Sequence, residues 1–164
     1  MLKIFSVLDN YLGIFEKWLL ILFTLTLTLI MSSQVLLRYF FSEPLFWAEE
    51  VSLQILIALS FVGVSYLAHV GQLVRVDIVL SLIKGKNNVF LSRGLHIVAL
   101  FISLTLSYVG TQWLSRPEVG TDISATTSIP LWYNYALLVF SFYSLSFHLF
   151  YKAVAPIVLE TESC

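Results

Sequence analysis

Charged residues are scarce in this 164-residue chain, where Asp, Glu, Lys and Arg together make up only 12% of the sequence. Soluble domains carry about 25% charged residues. The net charge is −1, so no basic surface exists for nucleic acid, and we predict no nucleic-acid partner. Because 59% of the residues are hydrophobic, a soluble fold would leave much apolar surface in water. The composition therefore indicates a membrane protein with membrane lipids around it.

Cysteine and the usual motifs of chemistry are also missing. The single cysteine, Cys164, excludes an internal disulfide and a multi-cysteine metal site. Glycine-rich phosphate loops, metal-binding motifs and nucleophile motifs are absent from the sequence. We therefore predict no catalytic residue, no metal site and no cofactor, and we expect that the chain is not an enzyme.

Four long windows without charged residues dominate the chain. They are Trp18–Leu37, Val51–Val74, Gly94–Ser115 and Ile123–Tyr151. Since a helix needs roughly 20 mainly apolar residues to cross a bilayer, each window is long enough. We predict an all-α integral membrane protein, a single four-helix domain over residues 1–164. The expected transmembrane helices cover about 17–38, 49–70, 90–114 and 130–154.

The N-terminal residues 1–16 have two interpretations. Their apolar and polar residues alternate at helical spacing, with Asp9 and Glu16 on the polar side. They predict either an amphipathic helix lying on the membrane or a cytoplasmic extension of the first helix. The apolar run that follows is too long for the core of a signal peptide, so we expect the first helix to be retained.

The distribution of basic residues predicts the membrane orientation. Seven of the nine lie in the N-terminal segment, the middle loop and the tail, and the other two are Arg38 and Arg116. Because basic residues concentrate on the cytoplasmic side, we predict that both termini and the middle loop are cytoplasmic. The polar loop from Arg116 to Pro130 would then face the periplasm, and we expect an ordered turn in it.

A short amphipathic helix is predicted on the cytoplasmic surface at about 75–84. Asp77, Ser81 and Lys84 share one helical face there, while apolar side chains fill the other. Such a segment suits the interface between water and lipid. Arg75 and Asp77 would organise this cytoplasmic link.

The connection between the first two helices is dense in polar and aromatic residues. Pro44 suits the first turn of a helix, and Trp47 suits the interfacial aromatic belt. Glu49 and Glu50 fall near the N-terminus of the second helix, where the helix dipole favours negative charge. Pairing of Arg38 with either glutamate would pin the outer end of this hairpin; solvation of these charges by headgroups is the alternative.

Small polar residues form stripes on two of the helices. Thr24, Thr28 and Ser32 are four residues apart on the first helix, and Ser103 and Ser107 are four apart on the third. Such stripes allow helices to approach closely in lipid. They indicate packing inside the four-helix bundle or docking against another protein's helices, and both can hold on different faces.

The middle of every predicted helix lacks a charged residue, which argues against a carrier with its own titrating site. His69, His96 and His148 all fall near the predicted cytoplasmic side. Two facing imidazoles in a four-helix bundle are able to ligate haem, but interfacial histidines bonded to backbone, water or headgroups are the expectation. A haem-binding electron carrier and a self-sufficient homo-oligomeric carrier or channel are the alternative functions.

Several short motifs in a fixed order give the chain a family resemblance. They are Arg38-Tyr39-Phe40, Pro44-Leu45-Phe46-Trp47, Glu49-Glu50, Phe61-Val62-Gly63, Ala68-His69-Val70-Gly71 with Val76-Asp77, and Ser128-Ile129-Pro130-Leu131-Trp132. In this order and spacing the chain resembles the small membrane subunits of tripartite ATP-independent periplasmic (TRAP) transporters, the DctQ-like family. The resemblance covers nearly the whole chain. One departure is Gln72-Leu73, where the family often carries a histidine.

The resemblance implies a noncatalytic scaffold subunit of a sodium-coupled transporter in the bacterial inner membrane. A large multi-helix membrane subunit would hold the substrate and sodium sites, and a periplasmic binding protein would deliver an organic acid. The substrate would be sialic acid, a C4-dicarboxylate or another sugar or keto acid, with the sialic-acid branch favoured. The residues expected at partner contacts or in structural roles are Arg38, Tyr39, Pro44, Trp47, Glu49, Glu50, Arg75, Asp77, Pro130 and Trp132.

Overall fold

The computed structural model describes residues 2–41, 45–71 and 87–161, and the side chains of 5–41, 45–71 and 94–153. Three of the expected site residues, Pro44, Arg75 and Asp77, lie outside the described residues. The amphipathic helix predicted at about 75–84 lies outside them as well.

Long α-helices make up nearly all of the described chain. The helices are α1 (Leu2–Leu36), α2 (Phe46–Val70), α3 (Asn87–Leu114), α4 (Pro117–Thr121) and α5 (Trp132–Thr161), with a π-helical turn at Leu37–Phe41 after α1. Four of these helical segments are long and apolar enough to cross a membrane. The predicted fold class, an all-helical protein with four such helices, is confirmed.

The first helix is continuous from Leu2, so the residues up to Glu16 extend it rather than form a separate helix. Its candidate membrane-spanning segment starts at Phe5, well before the predicted residue 17. Asp9 and Glu16, from the polar side of this extension, are buried in the bundle, whereas Asn10 beside them is exposed. The extension is therefore part of the packed structure.

The four long helices pack in the spatial order α1, α2, α5, α3. The start of α1 meets the C-terminal parts of α2 and α5 at Asp9, which defines the histidine end of the bundle. The opposite end, called the loop end here, holds Glu50 and the connection between α3 and α5. α2 and α5 therefore run parallel, and α1 runs antiparallel to both.

The interior of the bundle is small and polar, whereas its exterior is large and apolar. The described buried residues are mostly serine, alanine and valine, and Leu, Ile and Phe side chains predominate among the exposed ones. Without a hydrophobic driving force between helices in lipid, close approach of small residues and hydrogen bonds between helices hold them together. This inside-out distribution is that of a membrane bundle.

The two stripes of small residues face in opposite directions. Ser103 and Ser107 are buried, and Ser146 Oγ on α5 donates to Ser103 Oγ at 2.9 Å. Thr24 and Thr28 on α1 are exposed, and their hydroxyls donate to backbone carbonyls one turn earlier, at 2.8 Å each. The serine stripe of α3 therefore packs inside the bundle, and the threonine stripe of α1 faces outward.

The connection between α3 and α5 is an ordered structure, as expected for this loop. After the short helix α4, Ile123 and Pro130 form an isolated antiparallel bridge. The amide of Ser124 donates to the carbonyl of Ile129, and that of Leu131 donates to the carbonyl of Asp122, both at 2.9 Å. These bonds fix the turn that faces α2.

We expect Ser107→Leu to destabilise the chain because Ser107 is only 1% exposed, on the α3 face that packs against α5. Overpacking of a core costs about 1–3 kcal/mol. Thr105→Leu, at an exposed position two residues earlier on α3, is the matched control and should be neutral. Unfolding midpoints of both variants in detergent micelles test this, and equal midpoints would contradict the packing described here.

Candidate functional site

A cluster of ionisable side chains lies at the histidine end, where α1, α2 and α5 meet. The two oxygens of the Asp9 carboxylate each face one histidine. Asp9 Oδ2 is 2.9 Å from His69 Nδ1, and Asp9 Oδ1 is 2.7 Å from His148 Nδ1. The two imidazole rings are in contact, with their centroids 5.0 Å apart. One carboxylate from α1 therefore bridges a histidine of α2 and a histidine of α5.

A second carboxylate lies on the other side of His148. Glu16 Oε2 is 3.3 Å from His148 Nε2, but neither atom has a hydrogen-bond partner. Glu16 Oε1 accepts hydrogen bonds from Ser65 Oγ at 2.6 Å and Ser144 Oγ at 2.5 Å. His148 and Glu16 are almost fully buried, at 0% and 1% exposure. The glutamate is thus held in place by α2 and α5.

Helical spacing explains how three separate segments supply this cluster. Ser65 and His69 are four residues apart on α2, as are Ser144 and His148 on α5. Asp9 and Glu16 are seven apart on α1. Residues four or seven apart lie on one face of a helix, so each helix presents two polar groups to the same line of contact.

Gly13 allows His69 to reach Asp9. A Cβ atom at this position would lie 2.4 Å from His69 Cδ2 and 2.5 Å from His69 Nε2, so no side chain fits there without moving the imidazole. The backbone of α1 therefore forms the surface on which the His69 ring rests.

The sequence did not predict this cluster. Asp9 and Glu16 were placed on the polar face of the N-terminal segment, and His148 was expected at the membrane interface. The structure instead buries all three within the bundle, while the middle of each predicted transmembrane helix still carries no charged residue. The direct contact between the His69 and His148 rings also differs from an axial haem pair, which needs the macrocycle between its two imidazoles.

The loop end is held by Glu50 near the start of α2. Its carboxylate accepts the backbone amides of Ala125 and Thr126, both at 2.9 Å, and also the Thr126 hydroxyl. Hydrogen bonds to a charged acceptor are among the stronger ones in proteins. The glutamate therefore ties the connection between α3 and α5 to α2.

The structure gives both glutamates partners other than Arg38. Glu49 Oε1 accepts a hydrogen bond from Gln34 Nε2 at 3.3 Å, and Glu50 holds the loop. Among the described residues, no ion pair joins Arg38 to either glutamate. In place of the Arg38 pairing considered for the outer hairpin, Glu49 contacts Gln34 and Glu50 contacts the loop.

The remaining described site residues all lie at the loop end, but they do not form one cluster. Arg38 and Tyr39 are exposed in the π-helical turn, and Trp47 is exposed in the first turn of α2. Pro130 closes the bridge of the loop, and Trp132 begins α5 with its ring against Tyr133. Their predicted role at partner contacts stays a prediction.

Comparison with protein families gives a match over residues 27–158 to the tripartite ATP-independent periplasmic transporters, DctQ component. The chain belongs to the DctQ family. A comparison with curated proteins gave no match. Together with the four helices that can cross a membrane, membership in DctQ makes the chain a multi-pass membrane protein and a transporter component.

The range that matches DctQ covers the polar site at the loop end completely and the one at the histidine end only in part. It includes Glu50 with its loop, and also His69 and His148. It begins after Asp9 and Glu16, which lie in the first half of α1. The histidine end of this DctQ chain is therefore completed by two carboxylates that precede the matched range.

We expect Glu50→Gln to loosen the loop between α3 and α5, because the charged acceptor of two backbone amides is lost. Glu49→Gln is the matched control, since Glu49 accepts a hydrogen bond from the Gln34 side chain rather than from the loop. Hydrogen exchange followed by mass spectrometry should show faster exchange at residues 122–131 in Glu50→Gln only. The same protection in both variants would contradict the assigned role of Glu50.

Proposed function

We propose that this chain is the small, noncatalytic scaffold subunit of a TRAP secondary transporter in the bacterial inner membrane. In this proposal it packs on a large multi-helix membrane subunit and stabilises it, while that subunit carries the substrate and sodium sites. A periplasmic binding protein delivers the substrate. The observation that carries the proposal is the DctQ match over residues 27–158.

The contact face proposed for the large subunit is the outward side of α1. Thr24 and Thr28 are exposed there, and Ser32 continues the stripe one turn later. Because both threonine hydroxyls are satisfied by the backbone of their own helix, the stripe needs no polar partner within the membrane. It offers a shallow surface on which another helix can approach closely.

Both outer helices expose bulky side chains, such as Leu25 and Leu29 on α1, and the two differ in where their small residues point. The small serines of α3 face inward and are used in packing against α5. The outward face of α3 carries bulky side chains such as Phe101, Tyr108 and Val109, all strongly exposed. Bulky side chains suit contact with lipid and separate helices more than threonine or serine does.

For the substrate, we propose an organic acid and favour sialic acid over C4-dicarboxylates and other sugar acids. Cells that carry the complete transporter should take up labelled sialic acid in a sodium-dependent way. Removal of this chain should abolish uptake. Sodium-dependent uptake of a dicarboxylate without uptake of sialic acid would retain the subunit role and reject this substrate.

The proposed contact face is tested by placing a bulky side chain on it. We expect Thr28→Trp to reduce recovery of the large subunit in a tagged pull-down from the native host in mild detergent, because an indole keeps the helices apart. Thr105→Trp is the matched control. It replaces another exposed helical threonine whose hydroxyl donates to the carbonyl four residues earlier, at 2.9 Å.

The wild-type chain should recover the large subunit in a one-to-one ratio, identified by mass spectrometry. Equal recovery with Thr28→Trp and Thr105→Trp would reject the α1 face but keep the subunit role. Recovery of this chain alone, or only as a homo-oligomer, would contradict the subunit role and favour a self-sufficient carrier.

A further inference from the structure

The cluster at the histidine end has the donor set of a metal site. Asp9, His69 and His148 each offer one ligand atom, and these atoms lie within 4.8 Å of one another. We propose that these three residues bind a divalent first-row transition-metal ion, with Zn²⁺ as the best match to two imidazoles and one carboxylate. The ion fastens the start of α1 to α2 and α5.

The distances are close to those that such an ion requires. Zinc lies about 2.0–2.2 Å from histidine nitrogens and carboxylate oxygens, so tetrahedral ligand atoms are roughly 3.3 Å apart. Asp9 Oδ2 lies 2.9 Å from His69 Nδ1, Asp9 Oδ1 lies 2.7 Å from His148 Nδ1, and the three ligand atoms, one from each residue, lie within 4.8 Å of one another. The ligands have to shift when the ion enters, and His69, whose side chain is 20% exposed, is the least buried of the three.

Glu16 supplies the supporting contact that metal-bound histidines usually have. A histidine that binds a metal through one nitrogen commonly donates its other N–H to a carboxylate. With the ion on His148 Nδ1, the proton resides on Nε2, which faces Glu16 Oε2 at 3.3 Å. Neither of these two buried atoms has a hydrogen-bond partner, so a small approach of the glutamate to a protonated Nε2 would give both of them one.

The charge of the cluster also favours a divalent cation. Metal binding requires both imidazoles to be neutral, and the two carboxylates then leave two negative charges in a largely buried site, which is costly without a cation. A divalent ion brings this set to neutrality. The serine hydroxyls on Glu16 Oε1 satisfy its other oxygen, so the glutamate stays oriented towards His148 rather than towards the ion.

A groove beside the cluster gives the ion a route of entry. It has a volume of about 540 Å³, and its lining includes Asp9 and His69 together with Ser6, Asn10 and Tyr11. The approach to these two ligands is mixed, because Val7 and Ile14 line it beside the polar side chains. The groove also leaves room for a water molecule as a fourth ligand, next to the three that the protein supplies.

This inference is independent of the proposed transporter role. Asp9 and Glu16 lie before the range that matches the DctQ family, so membership in the family implies nothing about them. A result that rejects the metal site would leave the subunit proposal unchanged.

The experiment uses the full chain, with any large subunit that accompanies it, purified in detergent through an affinity tag that needs no metal. After treatment with a chelator, Zn²⁺ is titrated in competition with a chromophoric chelator. We expect one tightly bound Zn²⁺ per chain. Co²⁺ in its place should give the visible absorption of a tetrahedral site with nitrogen and oxygen ligands.

Variants at the ligands decide whether this binding belongs to the cluster. Asp9→Asn and His69→Gln should each abolish tight binding, and Glu16→Gln should weaken it by about 10–100-fold, as outer-shell changes do. His96→Gln, a histidine change elsewhere in the bundle, should leave the affinity unchanged. Melting curves of the metal-free variants establish whether each is folded. If Asp9→Asn does not fold, His69→Gln still tests the site, because the His69 side chain is partly exposed and its replacement disturbs the bundle less.

A glycine pair tests the geometry without removing a ligand. Gly13→Ala places a Cβ atom against the His69 ring and should weaken Zn²⁺ binding, although all three ligands remain. Gly63→Ala is the matched control, because its Cβ would meet only Leu20 Cδ2 at an ordinary 3.8 Å. No saturable Zn²⁺ binding by the wild-type chain, or equal binding by wild type and His69→Gln, would overturn the proposal.

Discussion

The structure depends on one constraint: polar groups inside a bundle that crosses hydrocarbon must find their partners within the protein. Most serines of the described interior meet it by donating to nearby carbonyls, to each other or to Glu16. Among the described residues, Ser52 Oγ, Glu16 Oε2 and His148 Nε2 are buried without a hydrogen-bond partner. Because the serine side chains are short, the helices come close together where they meet. The large apolar side chains are left on the outside, where lipid solvates them at no cost. The bundle is therefore held by close approach and internal hydrogen bonds rather than by an apolar core.

The two ends of the bundle meet this constraint with acidic side chains in different ways. At the loop end, Glu50 accepts backbone amides and thereby ties an irregular connection to α2. At the histidine end, Asp9 and Glu16 contact side chains from two other helices. Each glutamate or aspartate therefore joins elements that are far apart in the sequence. A scaffold subunit needs this kind of rigidity, since its proposed role is to present a fixed face to a larger partner.

The histidine end was accessible to sequence reasoning only in part. The spacing of Ser65 with His69, and of Ser144 with His148, predicts a polar pair on one face of each helix. The pair of Asp9 and Glu16, two turns apart, gives the same signal on α1. Spacing does not tell which faces meet, however, and the two acidic residues lie outside the charge-free window by which the first helix was recognised. The sequence therefore places them on the polar side of an interfacial helix or of a cytoplasmic extension of the first helix.

The sequence by itself determined the class of the protein, its four membrane helices and its family, because length, hydropathy and the order of short motifs are local properties. For the stripes of small residues, the sequence was consistent with packing inside the bundle and with facing outward towards a partner. Only the tertiary structure decided that the serines of α3 face inward and the threonines of α1 face outward. The same holds for the partners of Glu50 and for the meeting of Asp9 with two histidines. These are contacts between helices, and their register depends on how the helices pack, which no single helix encodes.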